Sequence, residues 1–350
     1  MKTATPATAR AINDRLALDL LIERGPLTAP QLRDLTGLSR PTVADLVERL
    51  SAAGLVEPVD EAEQTRRGPS AKRGPNAKVY RLIAERAHVV GVDLRRTGFT
   101  AAVADLSGRT VGEASRRFDP AAGEPDLLKT LTDAVTQAAG GRRPALVVIG
   151  APGLVRPHTG ELAGADTVPG WRADLPGELE EALGVRVLLE NEVNLAAVAE
   201  HRLGVAVGRA DFVVLWLDEG VGGAVVLDGR LRRGSSGGAG ELGWLRIEGS
   251  GFCDSVAPEV RDAITAEELA ERIASGAFAA VTVLDPGLIV LGGSVGRDGG
   301  EALAALVEER LAAKSPIVTE VRASTVEGNA VLQGAVLTAL DLARDEVFGG

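Results

Sequence analysis

The sequence predicts an α/β protein in two parts: a small N-terminal module of helices closed by a strand pair, then a duplicated, two-lobed body. Three observations carry this. Cap and turn residues between 25 and 56 punctuate two short helices, apolar runs bounded by glycine alternate with amphipathic segments from Val89 onward, and the pattern that opens at Val89 comes round again at Phe212. A chain of 350 residues accommodates two or three domains. The expected boundaries are 1–87 for the module, 88–205 for the first lobe and 206–350 for the second, whose C-terminal helix can pack back on the first.

In the module, Ala11 to Arg24 reads as a helix with Ile12, Leu16, Leu20 and Leu21 at near-helical spacing and a Gly25-Pro26 stop. Thr28-Ala29-Pro30-Gln31 fits a capping box and opens a short helix presenting Leu32 and Leu35, which breaks at Gly37. Ser39 caps the next helix, whose buried face is Val43, Leu46, Val47 and Leu50, and Leu55-Val56-Glu57 begins a strand. The stretch 65–78 holds five cations and no acids among turn residues, and Val79-Tyr80-Arg81-Leu82 returns as a strand.

Helix, turn, helix, strand, basic loop and strand is the layout of a winged helix-turn-helix. The helix opened by Ser39 is expected in the major groove, offering Arg40, Thr42, Asp45 and Arg49, with Arg66, Arg67, Lys72 and Arg73 of the wing laid along phosphates or a minor groove. Charge follows the same division. Residues 1–87 carry 14 Lys/Arg against 11 Asp/Glu, the remainder 24 against 38, so a basic module sits on an acidic body.

In the body, strands at 89–94 and 99–105 and a third after Leu106-Ser107-Gly108-Arg109 precede an amphipathic helix over 125–138 (Leu127, Leu128, Leu131, Val135). A strand over 145–150 ends in Ala151-Pro152-Gly153; a helix follows over 175–183, a strand over 185–189 and a helix over 193–203. Phe212–Leu217, the turn 218–223, Ala224–Leu227 and Asp228-Gly229-Arg230 repeat the opening, and Leu288–Ser294 is a buried strand ending in a Gly pair. Two lobes that each open with strand–turn–strand form a phosphotransferase-type clamp.

The first of those turns is unusual. Phosphate cradles use glycine because its backbone N–H approaches phosphate with no side chain between. Here Arg95 and Arg96 stand in the turn. Aromatics make up only 3% of the chain, so packing rests on Ala, Val and Leu. A single cysteine, Cys253, excludes an internal disulfide and a multi-cysteine zinc site. With no apolar run after Lys2 and none approaching the roughly 18 residues of a membrane span, a cytoplasmic protein is expected.

The chain resembles the ROK family (repressors, open reading frames and sugar kinases) of the actin/hexokinase-like, ribonuclease H-like superfamily. The segments that carry the resemblance are 150–155 (GAPGLV), 190–197 (ENEVNLAA), 220–223 (GVGG), 239–244 (AGELGW) and 285–293 (DPGLIVLGG), together with the Ser39-Arg40-Pro41-Thr42-Val43 helix start. Family kinases have Asp-Leu-Gly-Gly-Thr where Asp93-Leu94-Arg95-Arg96-Thr97 stands, and a general-base Asp where this chain has Glu192. One extra methylene shifts that carboxylate by about an ångström, which can cost on the order of 10²-fold. A zinc- and sugar-contacting His of the family is Trp244 here, and its cysteine-rich zinc loop survives only as Gly251-Phe252-Cys253-Asp254-Ser255.

The resemblance therefore implies a transcriptional repressor on a catalytically degenerate body: not an enzyme, with no cofactor and no metal, forming homodimers or homotetramers that read a double-stranded operator with two half-sites. The residual pocket is Asn191, Glu192, Glu241 and Trp244, joined by Arg95 and Arg96 if they capture an anion, for a sugar or sugar-phosphate effector. Two readings stand for each new residue. Trp244 plugs an abandoned pocket, the preferred reading, or offers a stacking platform. Arg95 and Arg96 form a solvated turn or pair with acids of the other lobe, which is preferred, or they bind an anionic effector. His88 and His201 are expected at the surface or a boundary and His158 at the surface. The alternatives to a regulator are an active ATP-dependent sugar kinase with an accessory DNA-binding domain, and a constitutive DNA-binding scaffold with a closed pocket.

Overall fold

A computed structural model describes residues 6–59, 78–119, 121, 123–164, 168–218, 220–247 and 249–348. Helix α1 (Pro6–Arg24) leads through the two-residue strand β1 (Leu27–Thr28) into α2 (Ala29–Thr36) and α3 (Arg40–Ala52), then β2 (Val56–Pro58) and β3 (Val79–Leu82). The capping box forms: Thr28 accepts from the Gln31 N–H and Gln31 caps the Thr28 N–H in return. Ser39 caps α3, and Val43, Leu46, Val47 and Leu50 are its buried face. Strand β3 lies between β1 and β2 in an antiparallel sheet, so the module is a winged helix with one more strand than its sequence shows. The expected wing cations Arg66, Arg67, Lys72 and Arg73 lie outside the described residues.

Two details of the module differ from the sequence pattern. Helix α1 buries Ala17, Leu18 and Leu21, while Ile12 and Leu16 stand 60% and 40% exposed. The helix is turned so that Asp14 meets Arg49 of α3, and this carries the Ile12–Leu16 row outward. Leu35 of α2 is likewise exposed, because Leu32 alone reaches the core.

The first lobe holds β4 (His88–Arg95), β5 (Gly98–Asp105), β6 (Thr110–Arg117), α4 (Leu127–Ala139), β7 (Leu146–Ala151), the small hairpin β8 (Leu154–Val155) and β9 (Leu162–Ala163), α5 (Leu175–Leu183), β10 (Arg186–Asn191) and α6 (Glu192–Leu203). Its sheet runs β10-β7-β4-β5-β6, parallel on the β10 side and antiparallel on the β6 side. His88 is 8% exposed and so belongs to the interior, since β4 starts inside the sheet; burial lowers its pKa, and the nearby Arg142 adds to this.

The second lobe holds β11 (Phe212–Leu217), β12 (Val221–Leu227), β13 (Arg230–Arg232), β14 (Arg246–Ile247), β15 (Ser250–Gly251), the short α7 (Phe252–Ser255) and α8 (Pro258–Arg261), then α9 (Ala266–Leu284), β16 (Leu288–Gly292), α10 (Gly293–Lys314), β17 (Glu320–Ala323) and α11 (Ala330–Phe348). The sheet order β13-β12-β11-β16-β17 reproduces that of the first lobe strand for strand. The internal repeat in the sequence is thus a repeat of topology.

Two helices close the space between the sheets. Helix α11 lies on β4 and β7 of the first lobe and against α6, which in turn meets β11 and β12 of the second. The helices approach so closely that a Cβ at Gly334 would run into the backbone of Leu195. Arg344 of α11 is buried and donates twice to the Leu106 carbonyl, at 3.1 and 2.7 Å, which pins the helix to the β5–β6 turn.

At its end α11 also meets the winged helix. Arg15 Nη1 donates to Asp345 Oδ1 at 2.5 Å, and the same guanidinium lies 5.6 Å from the Phe348 ring centroid. One apolar cluster runs from Leu18, Leu46 and Leu50 of the module to Leu340, Ala343 and Phe348 of α11. Among the described residues no helix is long and apolar enough to cross a membrane.

Candidate ligand cleft and nucleic-acid interface

The two strand–turn–strand units face each other across a cleft of about 680 Å³. On the first lobe, Arg95 pairs with Gly98 and the loop is only Arg96-Thr97, so both arginine side chains are carried at the tip of a tight hairpin. Gly98 has φ +145°, and a Cβ there would strike the backbone of Arg116, which fixes this residue as glycine.

Arg95 folds back rather than pointing into open space. Its Nε donates to Asp93 Oδ2 at 2.7 Å, and its Nη1 lies 3.6 Å from Asp218 Oδ2 on the opposing lobe. Desolvation works against the charged guanidinium, but Asp93 and Asp218 outweigh it and hold its pKa above the ordinary value. Of the two arginine readings, pairing with an acid of the other lobe describes Arg95. Arg96 is exposed at the tip.

Asp93 is 2% exposed. Its Oδ2 also accepts from Asn329 Nδ2 at 2.7 Å, while Oδ1 is buried with no hydrogen-bond partner among the described residues. Asn329 caps α11 through its Oδ1, which accepts from the Leu332 N–H at 3.0 Å. On the second lobe, Asp218 Oδ1 accepts from the Ser294 hydroxyl at 2.8 Å, just after the Gly292-Gly293 turn.

The far wall is built on the start of α6. Asn191 is its N-cap: Oδ1 accepts from the Val193 and Asn194 N–H groups, and Nδ2 donates to the Gly153 carbonyl at 2.9 Å. Its polar atoms are therefore committed to the fold, although the residue lines the cleft. Glu190 below it is buried and accepts from Asn194 Nδ2 at 2.8 Å and from Arg233 Nε at 2.6 Å.

Glu192, the first residue of α6, lines the cleft; its Oε2 lies 3.5 Å from Asn191 Nδ2, and it makes no ion pair among the described residues. Desolvation pushes its pKa up to about 8, the charges of Asp93 and Glu241 add to the rise, and its own backbone N–H and Arg95 oppose it. Burial also raises Glu241, which precedes the single 3₁₀ turn Leu242–Trp244.

Trp244 is 72% exposed and lines the cleft, so it does not plug the pocket. Leu242 takes the core position of that turn and Gly243 packs against the Val221 backbone, which leaves the indole outside. Cys253 also lines the cleft, but among the described residues no three His, Cys, Asp or Glu side chains converge as metal ligands.

On the winged helix, Arg40 is exposed at the first turn of α3 and free of ion pairs among the described residues. Asp45 and Arg49 are bonded to each other, and Arg49 Nη2 also donates to Asp14 of α1 at 2.5 Å. Arg49 thus ties α3 to α1, while Asp45 pairs with it along the same helix. Ser39 and Thr42 share a 2.8 Å hydroxyl contact at the helix start.

The sequence pattern passed over Asp93, Asp218, Ser294 and Asn329. The first two were visible as acids flanking matched turns; Asn329 has no local signal that ties it to Asp93.

Comparison with known proteins matches the ROK family over residues 89–264 and the MarR family over residues 11–67. The xylose repressor of Bacillus subtilis is 26% identical over 258 residues, 72% of this chain and 64% of that protein. The DNA-binding transcriptional dual regulator NagC of Escherichia coli is 24% identical over 68% of this chain and 58% of its own length. A glucokinase of Thermotoga maritima is 29% identical over 47% of this chain and 52% of that protein. The matches thus span between 52% and 64% of these curated relatives. Among solved structures, a ROK hexokinase from Thermus thermophilus aligns over 74% of this chain and 99% of its own at TM-score 0.64 and 29% identity. A ROK family transcriptional regulator, a homolog of E. coli MLC protein, aligns over 98% of this chain and 100% of its own at TM-score 0.74 and 18% identity, a likeness of fold that includes the N-terminal module. The chain belongs to the ROK family, carrying a MarR-type winged-helix domain ahead of its two-lobed body.

Proposed function

We propose that this chain is a DNA-binding transcriptional regulator, acting as a repressor, whose ROK body senses a ligand instead of transferring phosphate. The observation that carries the reading is Arg95. Its guanidinium lies between Asp93 and Asp218, one acid from each lobe, at the turn where family kinases carry glycines for phosphate. Such a turn no longer offers bare backbone N–H groups to a nucleotide. The resemblance to the xylose repressor and NagC supports a regulatory output.

Arg40 reads a base edge or phosphate at the start of α3, with Ser39 and Thr42 beside it. Arg66, Arg67, Lys72 and Arg73 follow the backbone, and Asp45 and Arg49 position the helix. Paired copies of the chain place two such helices on two half-sites. Helix α11 is the path from cleft to DNA: its cap Asn329 holds Asp93, and 16 residues on, about 24 Å along the helix, Asp345 holds Arg15. A ligand that changes the lobe arrangement changes how the winged helices are held.

The resemblance to the T. maritima glucokinase and the hexokinase fold keep a second reading in view, an active sugar kinase using Glu192 as base. A gel shift against genomic fragments and a coupled ATP-turnover assay over a hexose panel separate the two. Selective fragment retention with no turnover above a Glu192→Ala control is the expected result. Turnover that vanishes in that control would reverse the choice.

A further inference from the structure

We propose that the cleft takes a small polyol carrying a protonated amine, with its carbon skeleton on the exposed face of Trp244 and its ammonium between Glu192 and Glu241. This rests on reading the body as a ligand sensor and names what it senses. It also departs from the anionic effector that two arginines in a turn suggest.

The charge of the lining is the first support. Among the described residues the lining sets four acids, Asp93, Glu192, Asp218 and Glu241, against two guanidinium groups, Arg95 and Arg96. Arg95 is occupied by Asp93 and Asp218 on its two sides, and Arg96 projects from the hairpin tip. An anion entering the floor would meet acids before it met a free cation. Neither Glu192 nor Glu241 makes an ion pair among the described residues, so a cation would find one carboxylate at Glu241 with no cation beside it and, at Glu192, a carboxyl that gives up its proton to meet the new charge.

The second support is hydrogen-bond polarity. Carboxylates accept and do not donate unless they hold a proton. Asp93 Oδ1, in a residue 2% exposed on the cleft wall, has no partner among the described residues. Asn191, a side chain that could donate, has its Nδ2 on the Gly153 carbonyl. The complementary ligand is rich in donors, which describes hydroxyls and an ammonium group and not a phosphate.

The third is the indole. Trp244 is 72% exposed at the rim of an acidic cleft, and aromatic faces attract both sugar C–H surfaces and cations. A cleft of about 680 Å³ suits a ligand of one or two sugar rings.

Binding has a protonic signature. Glu192 is faced by Asp93 and Arg95 of β4, by Glu241 ahead of the 3₁₀ turn, and by Asp218 and Cys253 across the cleft. Its pKa of about 8 means it is protonated at neutral pH, and an ammonium placed beside it drives that proton off.

The test is isothermal calorimetry on the full chain at pH 7 with D-glucosamine, D-glucose and D-glucose 6-phosphate, which share a skeleton and differ in charge. Glucosamine is expected to bind at least about tenfold more tightly than glucose, and glucose 6-phosphate more weakly than either. Glu241→Gln should erase the preference for the amine, with the fold checked by its melting curve. Repeating the glucosamine titration in buffers of different ionisation enthalpy should reveal proton release that Glu192→Gln abolishes. Equal or tighter binding of glucose or its phosphate, or no binding by any of the three, overturns the proposal. Operator retention without added ligand is scored separately. Its loss sinks the regulator reading, whereas retention with a preference for the phosphate sinks only the ligand class.

Discussion

Asn329 and Asp93 lie 236 positions apart in the chain and are joined by a 2.7 Å hydrogen bond from Nδ2 to Oδ2. The same asparagine caps α11, so the start of the helix whose other end meets the winged helix is fastened to the acid that also holds Arg95.

Asn329→Ala removes a helix cap and one of the two donors to a buried carboxylate. Stability should fall by about 1–3 kcal/mol. Urea denaturation reads this directly, and an unchanged midpoint would show that the bond carries no weight.

Arg15→Ala cuts the polar tie between α1 and Asp345. Arg15 is partly exposed and Asp345 stands at the surface, so the cost in stability is small, about 0.2–1 kcal/mol. The expected consequence lies in coupling: operator affinity of the variant no longer responds to a ligand that shifts the parent. An intact response in a paired gel-shift titration would place the path elsewhere.

Glu192 makes a pH prediction. A glutamate that titrates near 4.5 when unfolded and near 8 when folded binds its proton more tightly in the native state. Its contribution is full below the lower value and is lost as pH rises through the upper one. Glu192→Gln removes that slope, so the variant gains on the parent between pH 5 and pH 8.5, by about 1–3 kcal/mol once water in the cleft is allowed for. Midpoints whose difference does not change with pH would contradict it.

Arg40→Ala should weaken specific operator binding by about 1–3 kcal/mol if the side chain reaches a base edge. Arg49→Ala should act differently, lowering the stability of the module, because its guanidinium is held by Asp14 and Asp45. Equal losses of affinity with no loss of stability would put both on the DNA.

Much of the architecture was legible because its signals are local. Caps at Thr28 and Ser39, apolar strands bounded by glycine, and the recurrence at Phe212 all depend on neighbours a few residues away. Strand β1 leaves no mark in the sequence, because two residues carry no period; it forms by pairing with β3. Hydrophobicity alone does not say which residue of a 3₁₀ turn wins the core: Leu242 takes it, and the larger Trp244 stands outside. Ile12 and Leu16 fit a helical stripe, yet the Asp14–Arg49 pair sets which side of α1 faces inward. The Asn329–Asp93 bond could not be read at all, since it arises from the return of the last helix to the first sheet.

The apolar cluster shared by the winged helix and the end of α11 bears on how such proteins can be recombined. Cutting the chain between β3 and β4 to graft a different reading head would split this cluster and take Arg15 away from Asp345 and the Phe348 ring. A working chimera must exchange the last turns of α11 together with the winged helix, so that the two are inherited as one cassette.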